Sequence, residues 1–256
     1  YMIADPTVIP REHRRHYHES VIWLLDCYMP NDNTLAIAPA VSSRADHALP
    51  EDAVVLCCFN NQHKITPRVF ASWMRVMSRA PGSVLWLFAS NPEAQDHLRA
   101  SARAAGGEPA RLIFAPRIPN DQHLERHRHA DLFIDTAPYN AHTTCNDALW
   151  AGLPVVTRIG EQLASRVAAS HLTAAGLPEL ITSSDEEYAA LILELATNEA
   201  KRRALREKLA QLRPTAPLFN TALYTRRLEA GFEAAYDRYL KGLAPADIRV
   251  ADPAPD

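Results

Sequence analysis

The sequence predicts an α/β fold in which a Rossmann-like, doubly wound parallel sheet is followed by a helical C-terminal extension. Short apolar runs rich in β-branched and aromatic residues alternate with longer segments whose apolar residues recur at helical spacing. The apolar runs are continuous, which indicates strands buried on both faces, as in a parallel sheet covered by helices. After about residue 182 only helical patterns remain, and these form the predicted extension.

The first strand of the predicted sheet is AVVLCCF at 53–59. The next helix begins after Thr66, because threonine is a good N-cap residue and Pro67 suits the first helical position. Phe70 and Trp73 lie on the apolar face of this helix. The alternation then continues with strands at 83–89, 111–116, 131–136, 153–158 and 179–182, and helices at about 93–105, at 120–130, from about 144, and at 161–175.

The C-terminal extension is predicted from three apolar stripes at helical spacing. Tyr188 and Leu195 belong to the first stripe, and Leu205 and Leu209 belong to the second. The third helix is predicted at about 221–240, and its apolar face carries Leu228, Phe232, Ala235 and Tyr239.

The first fifty residues do not follow the strand–helix rhythm. The run YMIAD at 1–5 resembles the end of a strand, and 11–25 (REHRRHYHESVIWLL) is predicted as a helix. Residues 36–50 are rich in Pro, Ser and Ala and are predicted as a linker. We therefore expect residues 1–35 to belong to a neighbouring domain.

Composition and charge exclude several classes of protein. The net charge of −3 predicts no broad binding surface for nucleic acid or membranes. The longest apolar runs are too short to span a bilayer, which takes about 20 residues. The four cysteines form no CxxC pair, which favours reduced thiols in a cytoplasmic protein. The sequence contains no GxGxxG, P-loop or GxSxG motif.

Two loops at the carboxyl ends of predicted strands carry candidate phosphate ligands. His142, Thr143 and Thr144 precede or begin a helix, whose free N–H groups and positive dipole end favour an anion. Lys64 follows the first strand and could meet the same phosphate. Asp147 lies one turn into the helix, where it could accept from a ribose hydroxyl. The structural alternatives are a Thr144–Asp147 capping box and a solvent-exposed lysine.

The histidines near 123–129 raise the question of a metal. His123 and His127 are four apart and could share a helix face. The glutamate of HLERH stands third, whereas zincins carry it second, so zinc is disfavoured. His123 is better placed to pack against a flat ligand ring. No DxD motif is present, so a bound diphosphate would have to be neutralised by Lys64, His142 and the helix end without a metal.

Several long blocks resemble the C-terminal part of the catalytic region of O-linked N-acetylglucosamine transferases. The resemblance covers about residues 50–240, and the opening YHES…DCYMPND resembles the end of that family's first catalytic lobe. The blocks are FNNQHKITP (59–67), GSVLWLF (82–88), RLIFAPRIPNDQH (111–123), ADLFIDTAPYNAHTTCNDALWAGLPVVT (130–157), GEQLASRVAASHLTAAGLPELI (160–181) and PLFNTALYTRRLEAGFEAAY (217–236).

The resemblance implies the C-terminal lobe of a GT-B glycosyltransferase that moves N-acetylglucosamine from UDP-GlcNAc to Ser/Thr hydroxyls of proteins, with inversion and without a metal or other cofactor. It implies that Lys64 is catalytic. Asn61 stands where the family carries a donor-contacting glutamine, and Asn120 stands where many relatives carry a lysine near uracil. The remaining implied contacts are phosphate for His142, Thr143 and Thr144, ribose for Asp147, and the uridine region for His123.

The resemblance also implies a division of the chain and a set of partners. The N-terminal catalytic lobe and upstream tetratricopeptide repeats would complete the enzyme, and the protein acceptor would be the second substrate. The predicted parts are the end of the N-terminal lobe (1–35), a linker (36–50), the nucleotide-sugar-binding lobe (51–215), a helix crossing back to the first lobe (216–241) and a tail, disordered or extended (242–256).

Three other functions remain open from the sequence. The chain could belong to a related transferase that uses UDP-glucose and modifies asparagine, because pocket shape around the acetamide is not readable from sequence. It could be a non-catalytic UDP-binding module, although Lys64, His142, Thr143, Thr144 and Asp147 are all present. It could also be an α/β domain whose loops only cap helices, in which case the long motif matches would be accidents.

Overall fold

The computed structural model describes residues 1–39, 41–89 and 91–251. Within those ranges the strands are β1 (Met2–Ala4), β2 (Val21–Trp23), β3 (Val54–Cys58), β4 (Ser83–Phe88), β5 (Leu112–Ala115), β6 (Leu132–Ile134), β7 (Val155–Arg158), β8 (Ile181–Thr182) and β9 (Ile248–Arg249). The helices are α1 (Pro67–Arg79), α2 (Pro92–Ala104), α3 (Asn120–Arg126), α4 (Thr143–Trp150), α5 (Val167–Ala174), α6 (Asp185–Thr197), α7 (Glu199–Leu212) and α8 (Thr221–Leu240).

The main sheet has six parallel strands in the spatial order β5-β4-β3-β6-β7-β8. Numbered within the sheet, this order is 3-2-1-4-5-6, the order of Rossmann-like folds. The continuous apolar runs become strands buried on both faces, as Leu56, Trp86 and Phe133 illustrate. The predicted α/β, doubly wound parallel sheet is therefore confirmed.

Local sequence determines where α1 begins. The Thr66 hydroxyl accepts a hydrogen bond from the Val69 N–H group, and Pro67 occupies the first helical position. The side chains of Phe70, Trp73 and Met77 are buried against the sheet. The cap and the apolar face predicted for this helix are both confirmed.

The helix predicted at 11–25 is wrong. Arg11–His16 forms only a 3₁₀ turn, and Val21–Trp23 is strand β2. The β-branched pair Val21 and Ile22 favours a strand, and all three strand residues are buried. Strand β2 pairs in parallel with β1 on one side and with β9 on the other, which gives a second, three-stranded sheet.

Two other predicted boundaries differ from the structure. The helix expected at 161–175 begins only at Val167, because Leu163–Ser165 forms a separate 3₁₀ turn stabilised by a Ser165 hydroxyl bond to the Gln162 carbonyl. The predicted tail at 242–256 contains β9, and residues 252–256 of that tail lie outside the described residues.

Buried polar contacts join the small sheet to the main domain. Asp5 follows β1, and its carboxylate accepts from the Ser170 hydroxyl of α5 and from the main-chain N–H of Tyr28. Arg166, at the start of α5, donates to the main-chain carbonyl of Thr7. Because burial removes Asp5 from water, it raises the pKa of this carboxyl, and the donors around it oppose that shift.

The helix predicted at about 221–240 is α8, and two aromatic residues of its predicted apolar face are largely exposed. Phe232 is 54% exposed and Tyr239 is 74% exposed. Gly231 is buried instead, and a Cβ atom at this position would lie 2.7 Å from Cγ2 of Ile22. Glycine therefore permits α8 to approach the small sheet more closely than any larger residue would allow.

No helix in the described residues is both long and apolar enough to cross a membrane. The four cysteines Cys27, Cys57, Cys58 and Cys145 are all buried and unbonded. Burial raises the pKa of each thiol, which keeps it in the unreactive protonated form.

Candidate functional site

The candidate site lies where the chain reverses its direction across the main sheet. Strands β3 and β6 are neighbours, but the chain continues from β3 towards β4 and from β6 towards β7, on opposite sides. A crevice opens at the carboxyl ends of two such strands, and ligands of open α/β sheets bind there. Both loops predicted to carry phosphate ligands leave the sheet at this point, after Cys58 and after Ile134.

Lys64 lies against the second loop. It ends a 3₁₀ turn (Gln62–Lys64) that Asn61 caps by accepting a weak 3.4 Å hydrogen bond from the His63 N–H group. The Lys64 amine donates to the main-chain carbonyl of Asn140 at 2.9 Å and lies 3.9 Å from the ring centre of Tyr139. Partial burial lowers the pKa of this amine, and the nearby Asp135 carboxylate opposes that shift.

The N-terminus of α4 has no side-chain cap. His142 is the N-cap residue, and its side chain accepts no hydrogen bond from the first turn. The capping-box alternative for Thr144 and Asp147 is therefore wrong, because the helix begins at Thr143 and Thr144 already lies inside it. The first N–H groups of a helix have no acceptor within the helix, so those of Thr143 and Thr144 are available to an anion.

The two predicted threonine hydroxyls have different surroundings. The Thr143 side chain is exposed. The Thr144 hydroxyl donates to the side-chain oxygen of Asn60 at 2.5 Å. The side chain of Thr144 therefore joins α4 to the loop after β3. Its main-chain N–H group remains available to a ligand.

Sequence reasoning missed the residues that hold the two loops together. Asp135 follows β6 and is fully buried, and its carboxylate accepts from Asn60, Thr157 and the main-chain N–H groups of Thr136 and Ala141. Burial raises the pKa of Asp135 to about 6, although its donors oppose this shift.

One sequence signal could have identified this pair. Asn60 and Asp135 are among the first polar residues after an uninterrupted apolar strand, and both strands point to the same edge of the sheet. A polar residue that remains buried at such an edge needs partners nearby, which the opposite loop can supply.

His142 is held between Tyr139 and the loop that follows β7. Its ring packs edge-on against Tyr139, and its Nε2 lies 3.4 Å from the main-chain carbonyl of Ala164. The Asn140 N–H group donates to the same carbonyl. Burial, followed by the nearby Lys64 cation, lowers the pKa of His142, so the ring is neutral and can donate from one nitrogen.

Glycine at position 160 shapes the loop after β7. A Cβ atom there would lie 2.5 Å from the Ser165 hydroxyl, so a larger residue would displace the turn. The Gly160 N–H group donates to the main-chain carbonyl of Ser165, and Arg166 donates to the Gly160 carbonyl. The motif GEQLASR thus forms a closed loop that supports the His142 side of the crevice.

Asp147 carries a free acceptor group. Burial alone raises the pKa of its carboxyl to about 6. No donor hydrogen-bonds to its side chain within residues 1–39, 41–89 and 91–251. A ligand hydroxyl that donated to this carboxylate would supply the missing partner.

His123 lines a cavity of about 610 Å³ at the carboxyl ends of β3, β4 and β5. Arg126 fixes the ring, because its guanidinium donates to Nδ1 of His123 at 2.5 Å. Nδ1 is then the acceptor, so the proton is on Nε2. Burial lowers the pKa of His123 to about 3. The other lining residues are Phe59, Phe88, Arg117, Ile118, Pro119 and Asn120.

His123 and His127 do not converge on a common metal position. The His127 Nδ1 donates to the main-chain carbonyl of His123 at 2.7 Å, and its ring packs edge-on against Phe59. His127 therefore fixes the end of α3 and contributes to the core. In the described part of the chain, the three metal-ligand candidates that do converge are His47, Glu125 and His129.

The strand order, the open crevice at its centre and the free helix N-terminus above it are those of a Rossmann-like nucleotide-binding lobe. The structure superimposes on an O-GlcNAc transferase of Thermobaculum terrenum with a TM-score of 0.81 and 29% identity, over 94% of this chain and 45% of that one. This fold is the C-terminal lobe of GT-B glycosyltransferases. The chain belongs to glycosyl transferase family 41, whose model matches residues 26–228.

Curated relatives agree with this assignment. The chain is 34% identical over 98% of its length to the probable UDP-N-acetylglucosamine–peptide N-acetylglucosaminyltransferase SEC of Arabidopsis thaliana. It is 35% identical over 79% of its length to the UDP-N-acetylglucosamine–peptide N-acetylglucosaminyltransferase of Caenorhabditis elegans. The chain spans only 26% and 18% of the lengths of these two relatives.

Proposed function

We propose that this chain is the donor-binding half of an inverting, metal-independent protein O-GlcNAc transferase. The enzyme would move N-acetylglucosamine from UDP-GlcNAc to Ser or Thr hydroxyls of proteins. The observation that carries the proposal is the position of the Lys64 amine, 2.9 Å from the main-chain oxygen of Asn140 and thus beside the loop that leads into α4. A cation and a free helix N-terminus then face one crevice, and a diphosphate needs both.

The reaction requires stabilisation of charge on the leaving UDP. The acceptor hydroxyl forms a bond to the anomeric carbon while the bond from that carbon to the phosphate oxygen breaks. Negative charge grows on that oxygen, and the Lys64 ammonium and the N–H groups of Thr143 and Thr144 stabilise it. Donors fixed before the reaction favour the transition state over the ground state, which is the source of the rate.

The remaining site residues would position the donor. The single ring N–H of neutral His142, which faces the Ala164 carbonyl in the free chain, would turn to a phosphate oxygen. Asp147 would accept from the ribose. His123 packs on the uracil ring from the wall of the cavity, and Asn120 lies at its rim. Asn61 is exposed next to the Lys64 turn, so its amide can reach the donor.

The rest of the enzyme would lie outside the donor lobe. We propose that residues 1–35 belong to the N-terminal catalytic lobe, 36–50 connect the lobes, 51–215 bind the nucleotide sugar and 216–241 cross back. The acceptor protein and the general base would be held by the N-terminal lobe, and upstream tetratricopeptide repeats would gather substrates. The reaction would take place in the cytoplasm, where nucleotide sugar and reduced cysteines coexist.

Calorimetry with the purified chain tests the proposal. UDP and UDP-GlcNAc should bind one to one, with the same affinity whether Mg²⁺ is added or omitted. UDP-glucose should bind more weakly than UDP-GlcNAc. The opposite preference would favour the related transferase that uses UDP-glucose and modifies asparagine. Absence of UDP binding, or binding only with Mg²⁺, would contradict the proposed site.

A further inference from the structure

A second cluster of side chains, which could bind a metal ion, lies outside the set of residues proposed to bind the donor. His47 belongs to the segment before β3, Glu125 to α3, and His129 to the 3₁₀ turn that follows α3. One ligand atom from each of these residues lies within 4.8 Å of the other two. The proposed transfer reaction uses none of them.

The three side chains point to a common centre that the Ser42 hydroxyl now occupies. The Ser42 oxygen lies 2.6 Å from Glu125 Oε2, 2.8 Å from His129 Nε2 and 3.2 Å from His47 Nε2. A serine hydroxyl has one proton, which it donates to the glutamate, so both rings must donate to it. Two imidazole nitrogens and a carboxylate that converge on one point are also the arrangement that protein ligands take around a metal ion.

We propose that His47, Glu125 and His129 bind a zinc ion, with the Ser42 hydroxyl or a water molecule as the fourth ligand. Two histidines and one glutamate are a donor set that zinc uses in proteins, with zinc–ligand distances of about 2.0–2.2 Å. Tetrahedral coordination places ligand atoms about 3.3 Å apart for such distances, so the cluster has to contract by on the order of 1 Å.

The surroundings permit that contraction. Glu125 and His129 are buried on a helix and the turn after it, which fixes two ligands at an i, i+4 spacing. His47 and Ser42 are half-buried on the segment before β3, and Val41 beside Ser42 is 84% exposed, so this side of the cluster is close to solvent. Glu125 pairs with Arg128 at 3.5 Å, and the half-exposed Arg128 side chain can move aside.

Zinc would crosslink the segment before β3 to α3, the helix that carries His123 at the wall of the cavity. His47 packs against Trp86 of β4, and Glu125 immediately precedes Arg126, which fixes His123. The ion would therefore stabilise the fold around the cavity without touching the donor. Its effect on donor affinity would be indirect, so zinc binding and UDP binding can be measured separately.

The test measures zinc binding by calorimetry and by elemental analysis after chelator treatment and dialysis. The unmodified chain should bind one zinc ion and unfold at a higher temperature when zinc is present. His129→Ala and Glu125→Gln should each weaken zinc binding by more than the roughly 10–100-fold that changes around a metal's ligands cost. Glu125→Gln keeps a side-chain oxygen that accepts from Ser42, so the fold should be retained. Weaker zinc binding in this variant would then report the loss of a carboxylate ligand and not of the fold.

His97→Ala is the matched control, because His97 is exposed on α2 and far from the cluster in sequence. It should bind zinc as the unmodified chain does. Cobalt(II) in place of zinc should give the visible absorption of a four-coordinate site in the unmodified chain and in His97→Ala, but not in His129→Ala. Equal zinc affinity in His129→Ala and the unmodified chain, or no stoichiometric binding, would overturn the proposal and leave a Ser42-centred hydrogen-bond network.

Discussion

The Thr144 hydroxyl donates a 2.5 Å hydrogen bond to the side-chain oxygen of Asn60, 84 positions earlier in the chain. The amide group of Asn60 donates in turn to Asp135 and to the Thr136 hydroxyl. This one buried asparagine therefore connects the end of β3, the end of β6 and the first turn of α4. The geometry of the crevice depends on it.

Asn60→Ala should destabilise the protein and loosen the crevice. The change removes one of the four donors to Asp135 and the only acceptor described for the Thr144 hydroxyl, so we expect the free energy of unfolding to fall by about 1–3 kcal/mol. Denaturant unfolding followed by circular dichroism measures the effect. The adjacent Asn61→Ala is the control, because that side chain is exposed and should change stability by no more than about 0.5 kcal/mol. Equal stability of the two variants would contradict the linking role of Asn60.

Lys64→Ala should greatly reduce transfer and leave the fold intact. The ammonium is the fixed cation of the site, and loss of one such donor costs about 10²–10³ in rate in other enzymes. Turnover should be measured in a protein that joins this chain to its N-terminal lobe, and UDP affinity in the chain itself. Lys208→Ala, at an exposed ion pair on α7, should behave like the unmodified protein. A Lys64→Ala enzyme with most of its turnover would exclude the catalytic role.

Donor binding should weaken at acidic pH because of Asp147. Burial raises the pKa of this carboxyl to about 6 in the free chain, and a ribose hydroxyl that donates to it favours the ionised form. The pKa then falls on binding, so affinity is full above about pH 6 and decreases below it. Calorimetry with UDP-GlcNAc from pH 5 to 7.5 measures the slope. Asp147→Asn should remove it, and an unchanged slope in that variant would assign the effect to another group.

His123 should be neutral and protonated on Nε2 throughout the physiological pH range. Arg126 donates to Nδ1, and burial lowers the pKa of the ring to about 3. Nitrogen-15 NMR of the histidine rings distinguishes the two tautomers, with the exposed His97 as an internal reference. A His123 ring that carries its proton on Nδ1, or that gains a second proton above pH 5, would contradict this assignment.

Gly231→Ala should detach α8 from the small sheet. The added methyl group would meet Ile22 at 2.7 Å and Val250 at 3.3 Å. Overpacking of this kind costs about 1–3 kcal/mol, which exceeds the helix propensity gained by replacing glycine. Limited proteolysis should show faster cleavage near α8, and Glu233→Ala on the exposed side of the same helix should not. Unchanged proteolysis in Gly231→Ala would mean that this contact does not hold the helix.

The sequence predicted those parts of the fold that depend on neighbouring residues. Each strand of the main sheet is an apolar run, and α1 begins at its threonine cap because local hydrogen bonding determines it. Strand β2 was misread as a helix, because Val21–Trp23 follows a charged segment and is buried by β1 and β9, which lie elsewhere in the chain. The packing of α8 on the small sheet was not predicted, because Gly231 contributes shape rather than hydrophobicity.

Only those residues of the candidate site that are recognisable from their neighbours in the chain could be predicted from the sequence. Lys64, His142 and Thr143 can be predicted as candidate phosphate ligands from their residue types and from their positions after strands. Asn60 and Asp135 function through partners in the other loop, and a single sequence does not reveal which polar residues become buried together. The start of α4 was misplaced by one residue, and this left open the alternative that Thr144 caps the helix.

The pairing of β9 with β2 has a consequence for the order of folding during synthesis. Asp247, just before β9, accepts from the Val21 N–H group, 226 positions away, so this sheet has contacts of very long range. The main sheet pairs strands that are much closer in the chain, and a nascent protein can complete it while the ribosome is still adding α8. One edge of strand β2 therefore stays unpaired until residues 248–249 have been synthesised, and an unpaired edge can pair with another chain in that interval.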